Sequence, residues 1–173
     1  MGALNSQVQL ISFDLDDTLW FNEGVIERAQ AKMFEGINEA LHRYKKPPLN
    51  MTNDQWFEIA VETKNKYPHI AHDMTALRKQ GLCDVLLRSG IDEPFIQHHV
   101  DEIFQALWFE RIQVNPFETV EPVLQQLKKK YKIAALTNGN ACLRHVVLDH
   151  LFDWHFQPAD TGFCKPHAGM FDF

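Results

Sequence analysis

Two aspartates near the start of the chain have the spacing of a paired carboxylate site. Asp14 and Asp16 follow an apolar run at residues 8–13, and alternation along an extended segment places both side chains on one side. Two carboxylates about 4 Å apart, in an effective dielectric of about 20, repel by roughly 4 kcal/mol, so a proton or a cation must offset their charge. Oxygen ligands suit a hard ion, and we predict magnesium here; the alternative is a solvated acidic turn.

A second polar segment has groups that suit a phosphate. Thr137, Asn138 and Gly139 follow the strand-like residues 131–136 and offer a hydroxyl and free backbone N–H groups. These groups can bind phosphate oxygens. An ordinary turn after a strand has the same composition, so this alternative stays open.

Both polar segments follow predicted strands. Three strand-like runs alternate with two helical patterns, which predicts an α/β fold with a parallel sheet, and ligands of such sheets bind at the carboxyl ends of the strands. Thr119 is the predicted cap of the first helix, and the first strand is predicted to be buried on both faces. The strands are predicted at residues 8–13, 131–136 and 154–157, and the helices at residues 120–127 and 143–151.

The long segment between the first two strands is helical in pattern. It is too long for a crossover, so we predict an inserted helical domain at residues 21–115, with the core at residues 1–20 and 116–173. Asp73 is the predicted N-terminal capping residue of the third helix. The helices are predicted at residues 23–44, 54–67, 74–89 and 93–112. The aromatic side chains predicted to fill its core are Trp56, Phe57, Phe95, Phe104, Trp108 and Phe109, whereas His98 and His99 are predicted to be exposed.

Composition excludes several classes of protein. The 173 residues are 45% hydrophobic with a net charge of −6, which argues against broad nucleic-acid binding. The sequence contains no apolar run of membrane-spanning length, so no membrane partner is expected. Three distant cysteines without a paired spacing fit a reducing compartment, and we expect a cytoplasmic protein.

Three segments of the chain resemble the motifs of one enzyme superfamily. The sequences FDLDDTL at residues 13–19, LTNGN at residues 136–140 and CKP at residues 164–166 are similar, in this order, to the first three motifs of the haloacid dehalogenase (HAD) superfamily. The resemblance implies a HAD-like, Rossmannoid parallel-sheet core. It also implies that residues 21–115 form an α-helical cap inserted after the first motif.

The resemblance implies a role for each matched residue. Asp14 would be the nucleophile that accepts a phosphoryl group, and Asp16 would protonate the leaving alcohol and then activate water. Lys165 would offset the negative charge, and Thr137 with the two residues after it would hold phosphate oxygens. The Asp14 carboxylate and the Asp16 carbonyl would hold Mg²⁺. The alcohol that leaves a phosphate ester needs a proton, whereas a halide ion does not. The presence of Asp16 therefore favours a phosphatase over a dehalogenase.

The predicted cap also contains candidate substrate residues. The segment around His72, Asp73 and Arg78 resembles that of bacterial HAD phosphatases of the riboflavin pathway, and these side chains are expected to face a small phosphorylated metabolite. The alternative is that Asp73 only caps a helix and that Arg78 is solvated.

The superfamily's fourth motif, an acidic pair after a further strand, has no counterpart in the sequence. We therefore expect a C-terminally truncated core, weak magnesium binding and little activity of this polypeptide alone. Residues 8–13 would then form an exposed edge, unless a partner or a second copy in a homodimer covers it. Three further alternatives are a non-catalytic binding or regulatory module, a phosphoacceptor signalling domain and a phosphomutase.

Overall fold

The computed structural model describes residues 8–172, which form two compact units. One unit contains residues 8–22 and 112–172, and the other is Glu23–Arg111. Residues 1–7 and 173, which belong to the predicted core, lie outside the described residues.

The first unit is built on a three-stranded parallel sheet. Its strands are β1 (Leu10–Phe13), β2 (Lys132–Leu136) and β3 (Trp154–Phe156), in the order β1-β2-β3. Phe13 pairs with Ala135, and Leu136 pairs with Phe156. The residues that follow β1 and β2 therefore leave the sheet at the same edge, and the predicted α/β parallel sheet is confirmed.

The two faces of this sheet have different surroundings. Ile11 and Phe13 pack with Ile133 on the hydrophobic core of the unit. On the other face, a groove of about 350 Å³ is lined by alternate residues of the strands and by one aromatic ring beyond them, namely Leu10, Ser12, Ala134, Leu136, Trp154, Phe156 and Phe171. The prediction that the first strand is buried on both faces was wrong, because the second face is an open groove and Leu10 on that face is 44% exposed.

One predicted core helix is absent from the described residues. The helix α5 (Val120–Lys128) lies as predicted, although the Thr119 side chain makes no capping hydrogen bond. Residues 143–151 instead form two 3₁₀ turns, because Val146 between them is extended, at φ −113° and ψ 142°. Adjacent β-branched residues disfavour a helix at this position. The short helix α6 (Pro158–Thr161) and a 3₁₀ turn (Ala168–Met170) follow β3.

The second unit, Glu23–Arg111, is entirely helical. Gly36 lets the first and last of its four helices approach closely, since a Cβ atom there would lie 3.0 Å from Ile103 Cγ1. The side chains of Asp73 and Thr52 cap the third and second helices. The four helices are α1 (Val25–Arg43), α2 (Asn53–Lys66), α3 (Met74–Arg88) and α4 (Glu93–Arg111).

Several side chains of this unit differ from the predictions. Trp56 and Phe104 are buried, but Phe57, Phe95 and Phe109 are exposed, because they lie on the outer faces of their helices. His99 is buried rather than exposed; its Nδ1 lies 3.3 Å from Glu102 Oε2 and its Nε2 lies 3.2 Å from the Tyr44 hydroxyl. Hydrogen bonds to both ring nitrogens offset the cost of burying this imidazole.

Two further observations concern the chain as a whole. Every helix within residues 8–172 is too short or too polar to cross a lipid bilayer. The three cysteines, Cys83, Cys142 and Cys164, are free thiols.

The buried imidazole of His155 should make stability depend on pH. Burial on β3 lowers the pKa of His155 below its ordinary value, against the opposing effect of the Asp160 and Asp149 carboxylates. The unfolded chain therefore binds a proton near pH 6.5 while the folded chain does not, so stability is complete above that pH and decreases as the pH falls below it. Urea unfolding at pH 7.5 and 5.5 measures this loss.

A matched pair of substitutions assigns the pH effect to this side chain. His155→Gln should reduce the pH dependence of the unfolding free energy, whereas His150→Gln, at an exposed histidine of the same unit, should leave it unchanged. An equal pH dependence in wild type and His155→Gln would show that other groups cause it.

The cap at Asp73 should stabilise the helical unit. Its Oδ1 accepts hydrogen bonds from the N–H groups of Thr75 at 2.8 Å and Ala76 at 3.0 Å. Asp73→Ala should lower the unfolding free energy by about 0.5–2 kcal/mol, because these N–H groups lose their acceptor. Asp73→Asn keeps an acceptor oxygen and should cost less. Chemical denaturation monitored by circular dichroism compares the variants, and equal losses would contradict a side-chain cap.

Candidate active site

The carboxyl edge of the sheet brings Asp14 and Lys165 together. Lys165 Nζ lies 2.9 Å from Asp14 Oδ1 and donates a hydrogen bond of 2.6 Å to the Leu136 carbonyl oxygen. Asp14 directly follows β1, and Leu136 is the last residue of β2, so the ammonium group links the ends of two adjacent strands. The Asp14 side chain is 46% exposed, which leaves the carboxylate accessible to a ligand.

Asn138 holds the backbone of Lys165. Its Oδ1 accepts a hydrogen bond of 2.6 Å from the Lys165 N–H, and its Nδ2 donates one of 3.0 Å to the Lys165 carbonyl. The next peptide bond, Lys165–Pro166, is cis. The Asn138 side chain thus positions the lysine. Phosphate binding through the backbone at Asn138 stays a prediction.

Thr137 and Gly139 form a closed turn after β2. The Gly139 N–H donates to Thr137 Oγ1 at 3.0 Å, and the Thr137 N–H donates to the Phe156 carbonyl at 3.1 Å. Thr137 is only 1% exposed. The expectation of a free N–H at Gly139 was therefore wrong, since the hydroxyl two residues earlier already accepts its hydrogen bond.

Trp20 positions the carboxyl group of Asp16. The fully buried indole donates a hydrogen bond of 3.0 Å from Nε1 to Asp16 Oδ1. The turn between them is closed by a hydrogen bond of 2.8 Å from the Asp17 N–H to the Trp20 carbonyl, with Asp17 in the left-handed region at φ 58°. The sequence analysis missed Trp20, although a buried indole needs an acceptor for its N–H and Asp16 lies four residues before it.

The three predicted substrate residues of the cap lie in the helical unit. Asp73 is the N-terminal capping residue of α3, and His72 directly precedes it in the sequence. Arg78 lies within the first two turns of α3. All three are half-buried. Arg78 lines a groove of its own unit, which is described below.

The oxygen atoms of this site match only part of a magnesium site. The Asp14 carboxylate and the Asp16 carbonyl are hard oxygen ligands, and Mg²⁺ commonly binds one or two carboxylates together with water and substrate phosphate. Residues 8–172 contain no group of three or more His, Cys, Asp or Glu side chains placed to hold a metal. The chain's own residues therefore fit an ion that is held largely by water and a phosphate ligand.

Comparison with known sequences defines the class of protein. Residues 8–173 match the haloacid dehalogenase-like hydrolases. The chain belongs to this family, which confirms the superfamily expected from the three motifs, and it is a hydrolase by class.

Individual relatives differ in their reactions. The chain is 29% identical over 167 residues to the 5-amino-6-(5-phospho-D-ribitylamino)uracil phosphatase YigB of Escherichia coli (strain K12), covering 95% of this chain and 68% of YigB. It is 32% identical to a crystallised 2-haloacid dehalogenase from Pseudomonas syringae pv. Tomato DC3000, with a TM-score of 0.85 over 95% of this chain and 70% of that one. The HAD-hydrolase YfnB of Bacillus subtilis, at 17% identity and a TM-score of 0.54 over 95% and 70% of the two chains, shares the fold.

The hydrogen bonds of Asn138 should protect the Lys165 amide from exchange. Asn138→Ala removes the acceptor of the Lys165 N–H, and a net hydrogen-bond energy of about 0.5–1.5 kcal/mol corresponds to roughly 2–10-fold faster amide exchange. Hydrogen exchange measured on the segment that contains Lys165 tests this. Gln125→Ala on α5, in the same unit, is the control and should leave the segment unchanged; equal protection in wild type and Asn138→Ala would contradict the assigned role.

Proposed function

We propose that the protein is a magnesium-dependent phosphomonoester hydrolase that acts on a small phosphorylated metabolite through an aspartyl-phosphate intermediate. The observation that carries the proposal is the hydrogen bond from Trp20 Nε1 to Asp16 Oδ1. It fixes a second carboxyl group two residues after the exposed, lysine-paired carboxylate of Asp14. Ester hydrolysis needs such an acid and base beside a nucleophile, whereas halide release does not.

Asp14 is the proposed nucleophile. One of its carboxylate oxygens attacks the phosphorus atom of the ester, the bond from phosphorus to the ester oxygen breaks, and the phosphoryl group is transferred to Asp14. The Lys165 ammonium, 2.9 Å from Asp14 Oδ1, orients the carboxylate and offsets the negative charge that the phosphoryl group brings.

Asp16 is the proposed acid and base. Because the indole N–H can only donate, Asp16 Oδ1 must accept, and the transferable proton would be on the other oxygen. This proton passes to the leaving ester oxygen, which departs as an alcohol. The resulting Asp16 carboxylate then takes a proton from the water molecule that attacks the phosphoryl group, so phosphate leaves and both aspartates return to their starting forms.

The remaining charges support phosphate binding. Lys165 uses one N–H on Asp14 and one on the Leu136 carbonyl, and an ammonium group has a third N–H to donate to a phosphate oxygen. Mg²⁺ held by the Asp14 carboxylate and the Asp16 carbonyl would supply Lewis-acid stabilisation of the phosphoryl oxygens. With two protein oxygen ligands, we expect weak magnesium binding by this chain.

The phosphatase YigB supports the proposed substrate class. Its name gives a phosphorylated ribitylaminouracil as its substrate, and His72 and Arg78 remain proposed contacts to the part of the metabolite beyond the phosphate. We also propose a reducing, cytoplasmic location, which the three free thiols support.

A second candidate activity is dehalogenation of a 2-haloacid. The Pseudomonas syringae dehalogenase favours it, because it has the higher identity and a TM-score of 0.85. In this reaction Asp14 would attack the carbon that carries the halogen, and the carbon–halogen bond would break without a proton from Asp16. The presence of Asp16, held by Trp20, supports the phosphatase instead.

Substitution of the nucleophile tests the proposal. We expect the chain to release phosphate slowly from 4-nitrophenyl phosphate, at high protein concentration and in the presence of Mg²⁺. Asp14→Asn should abolish this release, because an amide oxygen is a poor nucleophile. Asp17→Asn is the matched control: it is the same change three residues later, it keeps the oxygen that accepts from the Asn22 N–H, and it should retain activity.

Parallel assays separate the alternatives. Chloride release from 2-chloropropionate without phosphate release would favour the dehalogenase. Phosphate release that survives Asp14→Asn would contradict the aspartyl-phosphate route. A folded chain without either activity at high protein concentration would indicate an inactive fragment or a binding module.

A further inference from the structure

The helical unit has an apolar groove that the catalytic steps at Asp14, Asp16 and Lys165 do not use. The groove lies between α2 and α3, has a volume of about 400 Å³ and is lined entirely by residues of this unit. Its floor includes the buried side chains of Trp56 and Leu77. Gly81 on α3 lets the indole approach the helix, since a Cβ atom there would lie 3.2 Å from Trp56 Cη2.

The walls of this groove expose large apolar side chains. Phe57 is 69% exposed, Val61 is 44% exposed and Met74 is 36% exposed, and all three line the same groove. Single exposed apolar residues are common on soluble domains, but a contiguous set around a concavity is typical of a binding site. A cavity of this size falls within the range of about 300–1,000 Å³ that is usual for small-molecule sites.

Two of the residues that line the groove are cations. Its lining, all within the described residues, includes Lys64 and Arg78 and no Asp or Glu side chain. The whole chain has a net charge of −6, so the two cations oppose the overall balance. In a two-fold symmetric dimer that paired groove with groove, Lys64 and Arg78 of both copies would repel each other, which disfavours that contact.

We propose that this groove is a binding site for a small aromatic anion. The ring system would lie against Trp56 and Phe57, where offset or edge contacts between rings are favourable. The anionic group would lie toward Lys64 and Arg78, whose cations complement it. The site lies wholly within the helical unit and shares Arg78 with the proposed metabolite contacts. Its occupation does not depend on the catalytic steps at Asp14, Asp16 and Lys165.

Titration calorimetry with naphthalene-2-sulfonate tests the site without any turnover. We expect saturable binding of one molecule per chain and at least fivefold weaker binding of naphthalene-2-methanol, which has the same rings and no charge. Lys64→Gln and Arg78→Gln should each weaken sulfonate binding several-fold. Ala60→Phe, at a half-buried residue of the lining, should abolish it by filling the groove.

Matched controls keep the result specific to the groove. Lys32→Gln removes an exposed cation of the same unit that pairs with Glu35 at 2.7 Å, and it should leave sulfonate binding unchanged. Circular dichroism and the unfolding midpoint verify that Ala60→Phe is folded, and Val61→Trp provides a second filled variant.

Three outcomes would overturn the proposal. The first is full affinity for the sulfonate in folded Ala60→Phe and Val61→Trp. The second is loss of binding in Trp154→Ala alone, which would place the ligand on the exposed face of the sheet. The third is equal affinity for the neutral alcohol, which would exclude recognition of the charge. Failure of phosphatase activity would affect none of these measurements.

Discussion

The Lys165 ammonium group is the interaction on which the arrangement of the active site depends. The Asn138 side chain holds the backbone of Lys165, and the Leu136 carbonyl accepts a hydrogen bond from its Nζ. The same Nζ lies 2.9 Å from Asp14 Oδ1. Three segments that are far apart in the sequence thus meet at one cation. Without the ammonium group, the Asp14 carboxylate at the edge of the sheet would lose this ion pair.

The parallel register explains why these segments meet. Phe13 of β1 and Ala135 of β2 are paired, so the two strands end side by side at the same edge of the sheet. The carboxylate after β1 and the carbonyl at the end of β2 then face one lysine. Catalytic chemistry at the carboxyl edge of a parallel sheet therefore follows from strand direction and register as much as from residue type.

Long periodic segments were predictable from the sequence, and single contacts were not. The four helices of the second unit begin and end within two residues of the predictions, because their apolar spacing extends over three or more turns. The region 143–151 has the same spacing, but the extended backbone at Val146 breaks it into two turns. The motifs indicated Asp14, Asp16 and Lys165, and the spacing of four residues between Asp16 and Trp20 could have indicated their contact. The contact of Asn138 with Lys165 joins residues 27 positions apart, which no local pattern encodes.

The ion pair between Arg28 and Glu110 has a consequence for how the chain folds. β1 pairs with β2 across about 120 residues, and closing so long a loop has a large entropic cost. Arg28 Nε lies 3.7 Å from Glu110 Oε2, so the start of α1 and the end of α4 are adjacent within the helical unit. Formation of the helical unit brings its two ends together, so the connection that remains between the strands is residues 14–27 on one side and residues 111–131 on the other. The contacts within the inserted helices thereby offset part of the entropic cost of pairing β1 with β2.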